Sequence, residues 1–246
     1  MERIAVISDI HANLAALKAV WADIERREIG RIFCLGDLVG KGPYPAEAVD
    51  EVRERCEVVL QGNWDHKITL TPENEEWVWQ LWTQPLLGQE RLDYLRNLPF
   101  CYDFYWSGRK VRLLHASPTS VYDRVRLKTS MTEKLTLFEN TPLTGDWLGI
   151  SGEKSDCVVY GDIHMAYVMP LEDRFVVNAG SVGLPLDDIP LAGYVIMEGA
   201  LHQQSPAPFS VQIVRVPYDR EEVLQDAAAR GMPRLEKFTR DITRAR

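Results

Sequence analysis

The 246-residue sequence has no uncharged apolar stretch long enough to span a bilayer. Its start, Met1-Glu2-Arg3-Ile4, lacks the basic segment and apolar core of a secretory signal, so a cytoplasmic location and no membrane partner are expected. Positive charge is scarce, with 28 Lys+Arg against 36 Asp+Glu and a formal net charge of −8. Such a surface does not coat nucleic acid generally, because neutralising phosphates takes cations. If the chain handles a phosphate ester, positive charge has to come from a local source such as a bound metal. Cysteine is scarce too. Cys34, Cys56, Cys101 and Cys157 lie far apart without a C-x-x-C pair, a pattern of reduced, mostly buried thiols rather than disulfides or zinc thiolates. No stretch is rich enough in Gly, Ser or Pro to act as a linker, and there is no internal repeat.

What is present is ordinary globular composition, 46% hydrophobic and 26% charged, which excludes disordered, collagen-like and coiled-coil classes. Strand patterns at residues 3–8, 31–35 and 56–60 alternate with helical patterns at 14–27 and 45–55. That rhythm predicts parallel strands with right-handed crossovers. Residues 73–98 are predicted helical. Strands at 100–106 and 110–115 are joined by Ser107-Gly108, a hairpin signal. A helical stretch is expected near 131–138. Strands are then expected at 157–160, 166–169, 174–177, 194–197 and 210–216, and helices near 221–230 and 234–242. The expectation is a single domain over 1–246 with two sheets and outer helices, carrying a helical insertion at about 73–98 and a helical tail at about 219–246.

The chemistry concentrates at strand ends. Ser8-Asp9-Ile10-His11, Gly36-Asp37, Gly62-Asn63, His115 and Gly161-Asp162-Ile163-His164 each follow a predicted strand. In open α/β sheets, ligands bind at the carboxyl ends of strands. Asp9, His11, Asp37, Asn63, His115, Asp162 and His164 are oxygen and imidazole donors without thiolate, a set suited to Mn, Fe, Mg, Ni or catalytic Zn. Each motif alone is a common turn or helix cap. Their conjunction, which takes up most of only five histidines, is what carries the reading.

On these segments, with Leu35–Pro43, Gln61–Asp65, Leu113–Pro118 and Asn178–Pro185, the sequence resembles the calcineurin-like metallophosphoesterase superfamily, and within it small prokaryotic phosphodiesterases of the diadenosine tetraphosphatase-like type. The resemblance implies a four-layer αββα sandwich and two divalent ions: Mn²⁺ or Fe²⁺/Fe³⁺ first, with Ni²⁺, Zn²⁺ or Mg²⁺ also suited. By position, Asp9, His11, Asp37 and His164 would hold one ion. Asp37 would bridge to a second, held with Asn63, His115 and Asp162. A bridging hydroxide would attack phosphorus in a small phosphodiester, phosphoric anhydride or nucleotide-type substrate.

Two positions depart from the family pattern. Trp64 stands where a histidine usually protonates the leaving group, a loss of about 10²–10⁴-fold for poor leaving groups. His66 is the candidate replacement, against the reading of a surface histidine, and Trp64 itself offers a surface for a base or aryl group to stack on. Asp162 stands where the family usually has histidine, which removes one unit of positive charge and favours diesters over doubly charged monoesters. With these losses, a binding or scaffold protein of the same fold without turnover is the alternative. Asn13 is read as either a substrate-orienting group or a helix cap. Lys41 and the basic run Arg124, Arg126 and Lys128 are read as solvated, with phosphate contact as the other option. Trp79 and Trp82 share a helical face suited to packing. The exposed tryptophans or the C-terminal helices would offer a contact for homo-oligomer formation.

Overall fold

The computed structural model describes residues 1–246. Residues 4–7 are apolar without alternation, as a strand covered on both faces requires, and they are fully buried in β1 (Glu2–Ile7). The chain continues as α1 (Leu14–Arg26), β2 (Arg31–Cys34), α2 (Pro45–Arg55), β3 (Val58–Val59), α3 (Asn63–Ile68) and α4 (Val78–Arg96). Next come β4 (Cys101–Trp106), β5 (Arg109–Leu114), α5 (Met131–Leu135) with a 3-10 turn at Thr136–Phe138, β6 (Cys157–Tyr160), β7 (Tyr167–Leu171) and β8 (Arg174–Asn178). The chain ends with β9 (Ala192–Gly199), β10 (Ser210–Val216), α6 (Arg220–Ala229) and α7 (Leu235–Arg244).

The strands form two mixed five-stranded sheets, ordered β10-β9-β1-β2-β3 and β4-β5-β6-β8-β7. β1, β2 and β3 run parallel, as do β5, β6 and β8, while β9, β10, β4 and β7 pair antiparallel. The hairpin at 107–108 turns through positive φ at both Ser107 (49°) and Gly108 (82°), the geometry that matches strand twist in a two-residue loop.

The sheets face each other across a dry core that includes Ile4, Val6, Phe33, Phe104, Val111 and Val159. α1 and α2 cover the outer face of the first sheet through Leu17, Val20, Trp21, Val49 and Val52. Leu137 and Phe138 cover the second sheet's outer face against Val158, Tyr160 and Val176. The result is the expected four-layer αββα sandwich. Val223 of α6 and Phe238 and Ile242 of α7 form a further cluster with Leu184, against which Trp79 and Trp82 pack. No helix is long and apolar enough to cross a membrane.

Two local expectations are corrected. The helix predicted from residue 73 begins at Val78, because the Asn74 side chain accepts from Glu76 N and holds 74–76 in a turn. That helix also breaks at Gly88 (φ 70°, ψ 168°), with Pro85 one turn before. The segment after β3, read as a turn, is the short helix α3.

Candidate metal centre

The carboxyl ends of β1, β2, β3, β5 and β6 point to one rim. Asp9 and His11 follow β1, Asp37 follows β2, and Asn63 opens α3 just after β3. His115 follows β5, while Asp162 and His164 follow β6. The donor atoms of Asp9, His11, Asp37 and His164 all lie within 4.8 Å of one another, fully buried. His115 Nε2 stands 3.5 Å from Asp37 Oδ1 and 3.1 Å from the Asn63 side-chain amide.

Backbone shape sets these positions. Asp9, His11, Ala12, Asp37, Lys41, Asp162 and His164 all have φ between 49° and 67°, a region non-glycine residues rarely enter. The loops hold one another there. Asp9 N donates to Gly36 O, His11 N to Asp37 O, Ala12 N to Leu38 O and Gly183 N to Asp9 O. The approach is close enough that a Cβ on Gly183 would sit 1.7 Å from Ile10 O. Asn13 resolves to a cap, accepting from Ala16 N at 3.1 Å and donating to Gly183 O at 2.8 Å.

The hydrogen-bond pattern leaves one set of lone pairs over. His11 Nδ1 donates to Val39 O, His115 Nδ1 to Leu35 O and His164 Nδ1 to Leu184 O. A carbonyl only accepts, so each ring carries a proton on Nδ1 and turns Nε2 inward, the atom a metal-binding histidine uses, with Lys41 Nζ 3.4 Å from His11 Nε2 and the Asn63 side chain 3.1 Å from His115 Nε2. Two of these, on His11 and His164, face each other at 3.1 Å. Asp9 Oδ2 accepts from Ser8 Oγ and Asp162 N, while the buried Oδ1 faces His164 Nε2 at 3.1 Å. Two ring nitrogens and a carboxylate oxygen this close in a buried site call for a cation or a proton between them, so the donor set fits divalent ions. Asn63 accommodates either state. With its nitrogen inward it donates to both Asp37 oxygens, at 3.2 and 3.0 Å, and with its oxygen inward it offers one more lone pair.

Titration follows the same logic. Burial pushes Asp37 well above the carboxylate range, with His115 opposing and Asp9 and Asp65 adding to the rise. Burial also raises Asp9, but His164, His115 and His11 outweigh it and hold that carboxyl low. His11 is pushed down by burial and by Lys41. A group with a raised folded pKa, such as Asp37, contributes stability that is lost as pH climbs from 3.8 through the raised value. A divalent ion reverses this by replacing the proton. Saturating Mn²⁺, at about 100 times its Kd, is therefore expected to raise Tm by roughly 5–10 °C at pH 8. The rise should be far smaller at pH 5.5, where protons compete for the same lone pairs. Scanning calorimetry in chelator and in Mn²⁺ at both pH values checks this.

Four side chains have partners that the sequence alone does not reveal. Asp162 is clamped by Arg124, whose Nε and Nη2 each donate at 2.8 Å, and its Oδ1 is 4.0 Å from His115 Nε2. The expected loss of positive charge at residue 162 is thus offset by Arg124, which pairs with the carboxylate from a partly solvated position. Lys41 is also turned inward, with Nζ 3.4 Å from His11 Nε2. His66 lies outside the four-residue cluster, its Nδ1 2.6 Å from Tyr122 Oη. Asp65, which the sequence reading passed over, is fully buried and accepts from Asp37 N, Leu38 N, Val39 N and Gly62 N. It pins the loop that carries Asp37. Its signal was its place at the end of Gln61-Gly62-Asn63-Trp64-Asp65.

Two cavities flank Lys41. One, of about 360 Å³, is lined by Arg124, Arg126, Lys128, Asp162 and His164. The other, of about 380 Å³, opens beside Trp64.

The calcineurin-like phosphoesterase superfamily domain matches residues 2–200. The chain is 30% identical over 251 residues to the uncharacterized protein MJ0912 of Methanocaldococcus jannaschii, across 94% of this chain and 93% of that one. It is similar to the crystal structure of a metallophosphoesterase from Sphaerobacter thermophilus, with TM-score 0.75 and 26% identity over 99% of this chain and 100% of that one. The hypothetical protein PH1004 from Pyrococcus horikoshii OT3 has the same fold, with TM-score 0.79 and 18% identity over 100% and 99% of the two chains.

Proposed function

Since the chain belongs to the calcineurin-like phosphoesterase superfamily, we propose that it is a divalent-metal-dependent hydrolase of phosphodiester or phosphoric anhydride bonds. The observation that carries this reading is the convergence of His11 Nε2, His164 Nε2 and Asp9 Oδ1 in a buried site, with His164 Nε2 3.1 Å from each of the other two. Asp9, His11, Asp37 and His164 would hold one ion, and Asn63 and His115 would hold a second with Asp37 between them. Divalent ions bound there supply Lewis acidity and an activated water for attack on phosphorus.

The chain's own residues do the rest. Asp65 fixes the Asp37 loop. Lys41 and the Arg124, Arg126 and Lys128 rim give an acidic protein a local cationic approach for phosphate. Arg124 holds Asp162, so that the carboxylate serves first as its ion-pair partner. His66, paired with Tyr122, is the proposed donor of the leaving-group proton. Because Trp64 stands in the usual donor's place and His66 lies outside the four-residue cluster, a leaving group that needs little protonation, as in an anhydride, suits this site best.

The Arg124 clamp on Asp162 and Trp64 in place of a proton donor favour one other reading, a binding protein of this fold without turnover. Hydrolysis of bis(p-nitrophenyl) phosphate in Mn²⁺, measured beside metal content, separates the two. Metal-dependent turnover supports the enzyme, and two bound ions without turnover support the binding protein. Absence of bound metal likewise favours the binding protein and would sink the enzyme. Arg124→Met frees Asp162 and is expected to tighten the weaker ion by about tenfold, the scale of changes around metal ligands, as read by titration with Mn²⁺.

A further inference from the structure

Asp162 and Arg124 form an unequal pair. The carboxylate side chain is 1% exposed, while the guanidinium that holds it is 41% exposed. The bonds from Arg124 Nε and Nη2 are the only hydrogen bonds the carboxylate accepts. A buried carboxylate left bare is costly, whereas a half-exposed guanidinium turns into water at little cost. The arginine is therefore the partner free to leave, once another cation takes over the carboxylate. The second donor set offers a place for one, since Asp162 Oδ1 is 4.0 Å from His115 Nε2.

The loop around Arg124 supplies the second observation. Along residues 124–128 Arg124, Arg126 and Lys128 are exposed, Val125 is buried and Leu127 half-buried, the alternation of extended chain. The backbone is pinned between the basic residues. Val125 O accepts from Tyr160 Oη at 2.9 Å and Leu127 O from Lys134 Nζ at 2.8 Å. Arg124, Arg126 and Lys128 line one cavity with the buried Asp162 and His164. Arg126 and Lys128 have no carboxylate within 4.0 Å, and Arg124 keeps Nη1 without a protein partner. In a chain of net charge −8, these are open sites for an oxyanion, which a guanidinium binds as readily as a carboxylate.

We infer that Arg124 is a latch on Asp162 that a phosphate oxyanion opens. The anion, taken up by Arg126 and Lys128, draws Arg124 off the carboxylate by a side-chain rotation, and Asp162 turns to the second ion. Binding of the anion and of the weaker ion then help one another. This rests on the two-ion reading above for its metal arm, while its other arm uses the metal-free protein.

Titration calorimetry with Mn²⁺ reads the weaker ion with and without inorganic phosphate. Phosphate is expected to tighten it by about 5- to 150-fold in the wild type, the range for coupled sites. Arg124→Met should cut that factor by about tenfold, because its Asp162 is already free. Direct contact between phosphate and the ions is common to both proteins and cancels in the ratio. Dimethyl phosphate, an inert diester, repeats the measurement. Coupling by both anions assigns the latch to substrate as well as product, and coupling by phosphate alone assigns it to product. In chelator, Asp162→Asn releases Arg124 and should tighten phosphate by about two- to fivefold. Adding Arg124→Met should abolish that gain, whereas a gain from lost negative charge alone would remain. Arg124→Gln, which keeps one donor to the carboxylate, serves if Arg124→Met melts early. Equal coupling in the wild type and the Arg124 variant, or a chelator gain that survives in the double variant, overturns the latch and leaves the hydrolase standing. A second ion that binds under none of these conditions overturns the two-ion reading, and the latch with it.

Discussion

Asp37→Asn is expected to lower Mn²⁺-dependent hydrolysis of bis(p-nitrophenyl) phosphate by about 10³-fold or more in kcat. Asp37 stands at the middle of the donor set, with Oδ2 3.5 Å from His11 Nε2 and Oδ1 3.5 Å from His115 Nε2. No other carboxylate is so placed between the two groups of ligands. Losing its charge removes several kcal/mol of metal-derived stabilisation, at about 1.36 kcal/mol per decade. The substitution keeps the oxygen that accepts from Trp64 N at 2.7 Å, so the loop should persist. It also removes a buried carboxyl that burial holds far above its usual range. In chelator the variant should therefore melt no lower than the wild type, while the Mn²⁺-induced rise in Tm disappears. Hydrolysis within tenfold of the wild type, with the protein folded, would place the chemistry elsewhere.

Asp65→Ala is expected to cost the most stability, about 3–5 kcal/mol, the scale seen when a buried charged group loses its partners. For a domain of this length that is roughly 6–20 °C in Tm. The carboxylate alone satisfies the amides of Asp37, Leu38, Val39 and Gly62, and each buried amide left bare carries a penalty of about 1–3 kcal/mol. Partial collapse and entry of water hold the total below the simple sum. Asp65→Asn should be nearly as damaging, because half its acceptor capacity becomes an NH₂ facing other donors. Differential scanning calorimetry of both variants decides the matter. A shift under 2 °C for alanine would mean the Asp37 loop holds its shape without the carboxylate.

The strand ends were legible because hydrophobic runs and Gly-Asp or Ser-Asp punctuation are local. β1, β2, β5, β6 and the ligand types that follow them could be read from the chain. Asp65, Lys41 and Arg124 could not be assigned the same way. Asp65 points back to a loop 28 positions earlier, and Arg124 reaches Asp162 across 38 positions. A solvated residue and a buried partner look alike in a sequence when the pairing is that distant. The charge deduced for residue 162 was incomplete for this reason, since a guanidinium from another loop offsets the carboxylate. Trp79 carried a double signal. Its helical spacing with Trp82 predicted packing, which the α7 cluster bears out, but the same indole also walls a cavity. Periodicity reports which face is covered and says nothing of whether the cover is complete.

The left-handed residues around the centre have a consequence for time as well as energy. Asp9 and His11 are held in that conformation by Gly36 and Asp37 of the neighbouring loop, and Asp9 O in turn receives Gly183 N. Each of these loops is tied to the others by backbone hydrogen bonds, so the site is expected to open as a unit. The amide protons of Asp9, His11, Ala12 and Gly183 should then exchange with deuterated solvent at one common slow rate, set by the parting of the loops. They form a built-in clock for how often the centre comes apart.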